Sequence, residues 1–243
     1  MEIFQNERID DLEYMGLKII QDKSKYTFTS DSVLLANFVA AKPNDKFLDI
    51  GTGTGIVAIL VAAKCAVKKC VAVEVQEEVA SLAKRNVQFN GMDDNIIVVC
   101  DSIQNFSKNQ KEAFDVIACN PPYKKSGTSF LNENSTRAIS RHEILLNLKD
   151  LCESVKCALR FGGKFFVCFD ANRTSELLIC LSQNYLEPKR MFFTQSALSK
   201  SANLVFVEAV KGGKSGVNVL PVLVTNDMDG NYITNFIRDY KRG

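Results

Sequence analysis

Apolar runs alternate with helix-like patterns along most of the chain, and this alternation predicts an α/β fold with a mostly parallel sheet. Runs typical of strands buried on both faces occupy residues 47–50, 70–73, 96–100, 114–119 and 164–169. Helical spacing of apolar residues is found at residues 56–63, 76–90 and 174–181. Two further strands are predicted at residues 190–193 and 204–209, an extended segment at 217–224 and an amphipathic helix at 232–240.

The size and composition of the chain fit one such domain. It has 243 residues, of which 46% are hydrophobic and 24% charged, ordinary values for a globular protein. We expect a single domain over residues 1–243, with an N-terminal extension (1–46), a core (47–210) and a C-terminal extension (211–243). No apolar run approaches the ~20 residues of a membrane span, and the first residues lack a signal-peptide pattern. The sequence therefore predicts a cytoplasmic protein without membrane association.

Cysteine spacing and charge narrow the possible chemistry. The chain has eight cysteines and one histidine, no two cysteines are spaced C-x-x-C, and we expect no metal site. Because no secretory signal is present, reduced thiols are expected; Cys100, Cys119 and Cys168 lie in strand-like runs, where a thiol acts as a small apolar group. The net charge is only +2, so charge alone does not indicate a nucleic-acid partner.

A glycine-rich turn follows the first apolar strand and precedes a helix. Gly51, Gly53 and Gly55 are spaced G-x-G-x-G, and Ile56 stands where a dinucleotide fingerprint requires glycine or alanine. Glycines let the backbone approach a ligand closely, but no cation supports phosphate binding here. Asp49, two residues before the turn, points to a ligand with a positive group. S-adenosylmethionine carries an ammonium and a sulfonium and no phosphate.

Acidic residues also end the next two predicted strands. Glu74 is placed to accept hydrogen bonds from both hydroxyls of a ribose, as in dinucleotide-binding folds. Asp101, followed by Ser102, can accept from an adenine amino group between apolar neighbours. Either acidic residue alone could equally be an ordinary surface residue. Because the two acidic residues end successive strands of the predicted sheet, however, they together predict one binding site.

The fourth apolar strand runs directly into Asn120-Pro121-Pro122-Tyr123. Two consecutive prolines end the strand abruptly and remove two backbone donors. The Asn120 side-chain oxygen and the Pro121 carbonyl can then accept both hydrogens of a planar amino group, while Tyr123 stacks on the attached ring. The structural alternative is a proline-rich turn with a half-buried tyrosine.

Together these motifs resemble class I S-adenosylmethionine-dependent methyltransferases that modify amino nitrogens, and most closely bacterial enzymes that methylate adenine N6 in valine tRNA, just 3′ of the anticodon. The segments that carry the resemblance are 17–21, 28–36, 49–55, 120–123, 141–143 and 160–163. The resemblance implies a doubly wound, Rossmann-like, seven-stranded sheet that ends in an antiparallel hairpin. It also implies S-adenosylmethionine as the methyl donor, S-adenosylhomocysteine as the product, and Thr29, Ser30 and Asp31 against the donor. Without it, these three residues read only as a capped helix start.

The resemblance extends to tRNA as the substrate, whereas no obligate protein partner is inferred. Residues 124–140 form a long irregular stretch of the kind that serves as a substrate loop. Lys124 and Lys125 follow the tetrapeptide directly, and Arg141 lies in a predicted capping box that starts a helix. We consider all three as RNA phosphate contacts or solvated surface, and His142 as a structural or surface residue.

Other functions share the Asn-Pro-Pro-Tyr motif. Glutamine methyltransferases acting on release factors carry a sizeable helical domain before the core, whereas only 46 residues precede Phe47 here. DNA adenine methyltransferases usually add a recognition domain for which the chain has no room. Methylation of the guanine 2-amino group in rRNA remains open, because both purines offer an amino group and a stacking face. A catalytically idle RNA-binding module is the non-enzymatic alternative.

Overall fold

The computed structural model describes residues 3–22, 30–121 and 147–226. The first two ranges contain β1 (Glu7–Asp11), β2 (Lys18–Asp22), α1 (Ser30–Phe38), β3 (Lys46–Ile50), α2 (Ile56–Cys65), β4 (Lys69–Glu74), α3 (Glu77–Phe89), β5 (Ile96–Cys100), α4 (Ile103–Lys108) and β6 (Phe114–Cys119). The third contains α5 (Leu148–Ala158), β7 (Leu159–Asp170), a 3₁₀ turn (Ala171–Arg173), α6 (Thr174–Gln183), β8 (Leu186–Gln195), β9 (Leu204–Lys211), β10 (Asn218–Val219) and β11 (Leu223–Val224).

One mixed sheet organises the described residues. Its order is β10-β8-β9-β7-β6-β3-β4-β5, with β11 also paired to β8. Strands β5, β4, β3, β6 and β7 are parallel neighbours, whereas β9 runs antiparallel to β7 and to β8. The predicted doubly wound sheet with a closing antiparallel hairpin is therefore confirmed. The seven predicted strands are present as β3 to β9. The short strands β10 and β11, within the segment 217–224 that was expected to be extended, pair parallel to β8 and bring the described sheet to nine.

Helices cover both faces of this sheet, as its continuous apolar strands require. One face packs against α1 and α2, and the other against α5 and α6. Four phenylalanines fix α1 on its face: the Phe38 ring meets Phe166 and Phe192 edge-on, with ring centroids 5.5 and 5.1 Å apart, and Phe192 stacks on Phe206 at 4.7 Å. The position of α1 is thus set by large rings in the core.

An N-terminal hairpin precedes the sheet and was missed in the sequence. Strands β1 and β2 pair antiparallel from Glu7 opposite Asp22 to Asp11 opposite Lys18. Strand β1 is polar and largely exposed, so it lacks the apolar run by which the other strands were recognised. Helix α3 holds the hairpin in place. Its residue Arg85 donates two hydrogen bonds to the Glu7 carboxylate.

The middle of the chain shows two further differences from the predictions. Helix α4, capped by Ser102, was not predicted. The described part of α5 begins at Leu148, with the Asn147 side chain accepting a hydrogen bond from the Asp150 amide at 2.9 Å. The capping box predicted at residues 140–143 and the helix predicted at 232–240 lie outside the described residues.

All eight cysteines are free, as expected for reduced thiols. Cys119 and Cys168 are fully buried, and burial raises the pKa of both thiols well above its ordinary value. Cys100, by contrast, is exposed. The expectation that it behaves as a core residue was wrong, because β5 forms the edge of the sheet. In the described ranges, no helix has the length and apolar character needed to cross a membrane.

Candidate active site

The carboxyl ends of β3, β4, β5 and β6 bring the candidate residues to one edge of the sheet, as the parallel register requires. The glycine turn begins where β3 ends. Gly51, Gly53 and Gly55 all have positive φ, at +65°, +57° and +90°, a conformation that favours glycine. The amides of Gly51 and Thr52 donate to the Val73 carbonyl at 2.9 and 3.0 Å, which fastens the turn to β4.

Glu74, at the end of β4, holds this turn through its side chain. It is only 2% exposed. One carboxylate oxygen accepts from the Gly53 amide at 3.1 Å, and the other accepts from the Gln76 amide, at the start of α3, at 3.0 Å. The predicted ribose-binding residue therefore also shapes the turn. Since a carboxylate has about four lone-pair sites, two amides leave acceptor capacity on Glu74.

Asp49 lies beneath the turn and is almost completely buried. Its Oδ2 accepts from the Thr52 hydroxyl at 2.6 Å and from the Ala58 amide at 3.2 Å. Burial raises the pKa of Asp49 to about 7, although these two hydrogen bonds favour the ionised carboxylate. Asp49 thus contributes first to the internal structure of the turn and of the start of α2.

The buried Asp49 should make stability depend on pH. Its pKa is raised on folding, so between pH ~4 and ~7 the folded protein holds a proton that the unfolded chain has lost. The free energy of unfolding therefore falls as the pH rises through this window and then levels off. The Asp49→Asn side chain cannot ionise. We expect its free energy of unfolding, relative to that of the wild type, to increase by about 2–3 kcal/mol as the pH rises from about 5 to about 8. Urea unfolding of both proteins measures this difference; parallel stability curves would contradict it.

Asp101 and Ser102, after β5, are tied into the start of α4. The Ser102 hydroxyl caps α4 by accepting from the Asn105 amide at 3.2 Å. The Asn105 side-chain amide donates to both Asp101 carboxylate oxygens, at 3.1 and 3.0 Å, and the Ser102 amide donates to one of them at 2.8 Å. Asn105 orients Asp101 and was not foreseen, because no pattern of residues predicted a helix at this point.

Asn120, after β6, has a fixed orientation. Its Nδ2 donates to the Ser32 hydroxyl of α1 at 3.0 Å, and Ser32 is itself only 5% exposed. The Asn120 Oδ1 atom is buried and has no hydrogen-bond partner among the described residues. A buried acceptor without a donor is costly, so this oxygen points to a missing donor. Pro121, the next residue, is buried.

Several predicted residues fall elsewhere or outside the description. Ser30 is the first residue of α1 and Asp31 lies in its first turn, both partly buried. The predicted site residues Thr29, Pro122, Tyr123, Lys124, Lys125 and Arg141 lie outside the described residues. Sequence reasoning missed Ser32, although it lies in a segment that carries the family resemblance. Its importance follows only from the packing of α1 beside β6. Among the described side chains, no three His, Cys, Asp or Glu residues cluster as a metal site would require.

Comparison with known proteins defines the class. The family model of the methyltransferase small domain matches residues 24–143, which include the glycine turn and Asn120. A predicted O-methyltransferase from Agrobacterium tumefaciens shares the fold, with a TM-score of 0.68 at 19% identity over 86% of this chain and 94% of that chain. M. jannaschii TYW2, solved in complex with AdoMet, has a TM-score of 0.58 at 13% identity over 87% of this chain and 89% of that chain. Residues 24–143 of the chain thus match the methyltransferase small domain, and the protein is a methyltransferase.

Two bacterial relatives have a more particular name, tRNA1(Val) (adenine(37)-N6)-methyltransferase. The protein from Bacteroides fragilis is 29% identical over 179 residues, which are 73% of this chain and 74% of the relative. The protein from Shewanella baltica is 27% identical over 217 residues, which are 87% of this chain and 90% of the relative. The family resemblance recognised in the sequence is thus confirmed.

Proposed function

We propose that this methyltransferase transfers a methyl group from S-adenosylmethionine to the 6-amino group of an adenosine in the anticodon loop of tRNA. Valine tRNA, at the adenosine 3′ of the anticodon, is the specific substrate proposed. The observation that carries the proposal is the Asn120 side chain. Its amide nitrogen donates to Ser32, and its oxygen is buried without a donor in the described part of the chain. An exocyclic amino group is the kind of donor that this oxygen lacks.

The residues at the strand ends fit S-adenosylmethionine as the methyl donor, which supplies an electrophilic methyl group on a sulfonium. The side chains of Asp49 and Glu74 bind the glycine turn, and Asp101 follows the neighbouring strand β5. None of these three carboxyl groups accepts from a lysine or arginine in the hydrogen bonds described above. An added Cβ at Gly51 would meet no atom of the described residues within 4 Å, so those residues leave space on one side of the turn. Glu74 would accept from the ribose hydroxyls, and Asp101 from the adenine amino group. Ser30 and Asp31 would lie against the donor.

Asn120 and Pro121 would act on the nucleophile. The amino nitrogen of adenine is a poor nucleophile, because its lone pair is conjugated with the ring. Accepting both its hydrogens, at Asn120 Oδ1 and at the Pro121 carbonyl, favours a pyramidal nitrogen with an available lone pair. As positive charge develops on the nitrogen, these two oxygen dipoles stabilise it. The proton lost afterwards is acidic enough to pass to water, so no general base is required. Tyr123 would stack on the base.

An anticodon-loop adenosine suits this mechanism because its base is already unpaired, so little energy is spent on extruding it. The names of the relatives support tRNA as the substrate. Lys124, Lys125 and Arg141 are the residues that we propose for RNA phosphate contacts, and a cytoplasmic location stays a prediction.

Transfer of labelled methyl groups tests the proposed substrate. Total tRNA, rRNA and protein are each incubated with the enzyme and S-adenosylmethionine labelled in the methyl group, and modified tRNA is digested to nucleosides for mass identification. We expect N6-methyladenosine in tRNA. The matched control is a valine tRNA transcript with guanosine in place of the adenosine 3′ of the anticodon, which should accept no label. Label in rRNA as N2-methylguanosine, or in protein glutamine, would replace the proposed substrate, and no transfer at all would favour an idle RNA-binding module.

A further inference from the structure

Two asparagines about one turn apart, Asn86 in α3 and Asn90 at its C-cap, pair with the backbone of β2. Asn90 accepts from the Lys18 amide at 3.0 Å and donates to the Lys18 carbonyl at 2.7 Å. Asn86 accepts from the Ile20 amide at 2.6 Å and donates to the Ile20 carbonyl at 3.0 Å. Each side-chain amide thus takes the place of a neighbouring strand. Together they dock the N-terminal hairpin on α3.

Asn86 makes one contact that Asn90 does not. Its Nδ2 also donates to the Thr54 carbonyl, in the glycine turn, at 2.9 Å. Asn86 is fully buried. Both hydrogens of its side-chain amide form hydrogen bonds, one to the hairpin and one to the turn. The turn packs on the same helix next to this contact: a Cβ added at Gly55 would lie 3.7 Å from the Cβ and from the carbonyl oxygen of Ala83.

We propose that Asn86 is a positioning residue of the donor site, which sets the glycine turn and makes the N-terminal hairpin part of its support. The inference rests on the proposed function, because the turn is where the methyl donor would bind. The buried side-chain amide of Asn86 binds two segments that are distant in sequence. Ile20 lies 66 residues from Asn86, and Thr54 lies 32 residues from it. Loss of this amide removes the donor from the buried Thr54 carbonyl, and the turn is then free to shift.

Asn86→Ala and Asn90→Ala form a matched pair that separates the two roles. Both substitutions remove an asparagine that docks the hairpin, and only the first also releases the glycine turn. We expect Asn86→Ala to weaken the binding of S-adenosylhomocysteine about tenfold, and Asn90→Ala to change it less than about twofold. At saturating S-adenosylmethionine, the single-turnover rate of Asn86→Ala should stay within about threefold of the wild type, because Asn120 is untouched. Isothermal titration calorimetry measures the affinity, and thermal unfolding measures the stability, of the wild type and of both variants.

Asn86→Ser, which keeps a small polar side chain, is the second variant in case the alanine variant does not fold. Equal binding of S-adenosylhomocysteine by the Asn86 and Asn90 variants would overturn the inference, and so would failure of both Asn86 variants to fold, since Asn86 would then support the core in general. Failure of the proposed function is distinguishable. Without a donor site, the wild-type protein itself would not bind S-adenosylhomocysteine, whereas a different methyl acceptor would appear in the labelling experiment and leave this comparison of binding unchanged.

Discussion

Asn120→Ala should lower the single-turnover rate of methyl transfer by about 10²–10³-fold, equivalent to about 2.5–4 kcal/mol. The substitution removes the buried oxygen to which no described residue donates. This oxygen is the group that we propose to bind the amino nitrogen while positive charge develops on it. Donor affinity should be almost unchanged, because none of the hydrogen bonds described above joins Asn120 to the glycine turn, although β6 and β3 are neighbours. Quenched-flow measurement with saturating S-adenosylmethionine and tRNA gives the rate directly.

Ser32→Ala serves as the control for this result. It keeps the Asn120 oxygen but removes the hydroxyl that holds the amide nitrogen at 3.0 Å. We expect an intermediate loss of about tenfold, since the oxygen is then present but less well oriented. A near-wild-type rate for Asn120→Ala would remove the residue from the mechanism. Equal losses in both variants would instead indicate a general disturbance of the contact between α1 and the end of β6.

Glu74→Ala should have the largest effect on donor affinity, with a loss of about 2–4 kcal/mol, or roughly 30- to 1000-fold. The substitution leaves the Gly53 and Gln76 amides without the carboxylate that accepts from them at 3.1 and 3.0 Å. It also removes the group proposed to bind the ribose hydroxyls. Calorimetric titration with S-adenosylhomocysteine measures the loss.

Glu74→Gln separates the two roles of this residue. Glutamine keeps one carbonyl oxygen as an acceptor but replaces the other oxygen with a donor, so one of the two backbone amides loses its partner. Its affinity should lie between those of the wild type and Glu74→Ala. Wild-type affinity in Glu74→Ala, with the fold retained, would show that neither the shape of the turn nor the donor depends on the carboxylate.

The predicted strands of the main sheet agree with the structure because each is a continuous apolar run, and burial of such runs depends little on distant parts of the chain. The observed strands Ile96–Cys100 and Phe114–Cys119 have the predicted bounds. Gly91, with φ +62°, follows the end of α3, a position that favours glycine. The hairpin of β1 and β2 was missed for the opposite reason. Its polar strand β1 is held by side chains of α3, which its own sequence does not reveal.

The sequence predicted which residues form the candidate site better than it predicted the contacts that these residues make. That Asp49, Glu74, Asp101 and Asn120 lie near the carboxyl ends of neighbouring strands follows from the order of strands and parallel pairing. That both Glu74 oxygens accept from backbone amides, and that Asp49 is buried beneath the turn, does not follow from their positions. These facts depend on how closely the turn folds back on β4 and α2.

The sequence by itself determined the class of fold, the glycine turn and the acidic and amide residues at the strand ends, because local periodicity and turn chemistry encode these features. Only the tertiary structure decided which polar atoms of these residues already have hydrogen-bond partners and which atoms can still bind a ligand. Ser32 meets Asn120 across 88 residues, and Asn86 joins Ile20 to Thr54. Such contacts depend on the packing of whole helices against the sheet, and a short-range pattern carries no record of that packing.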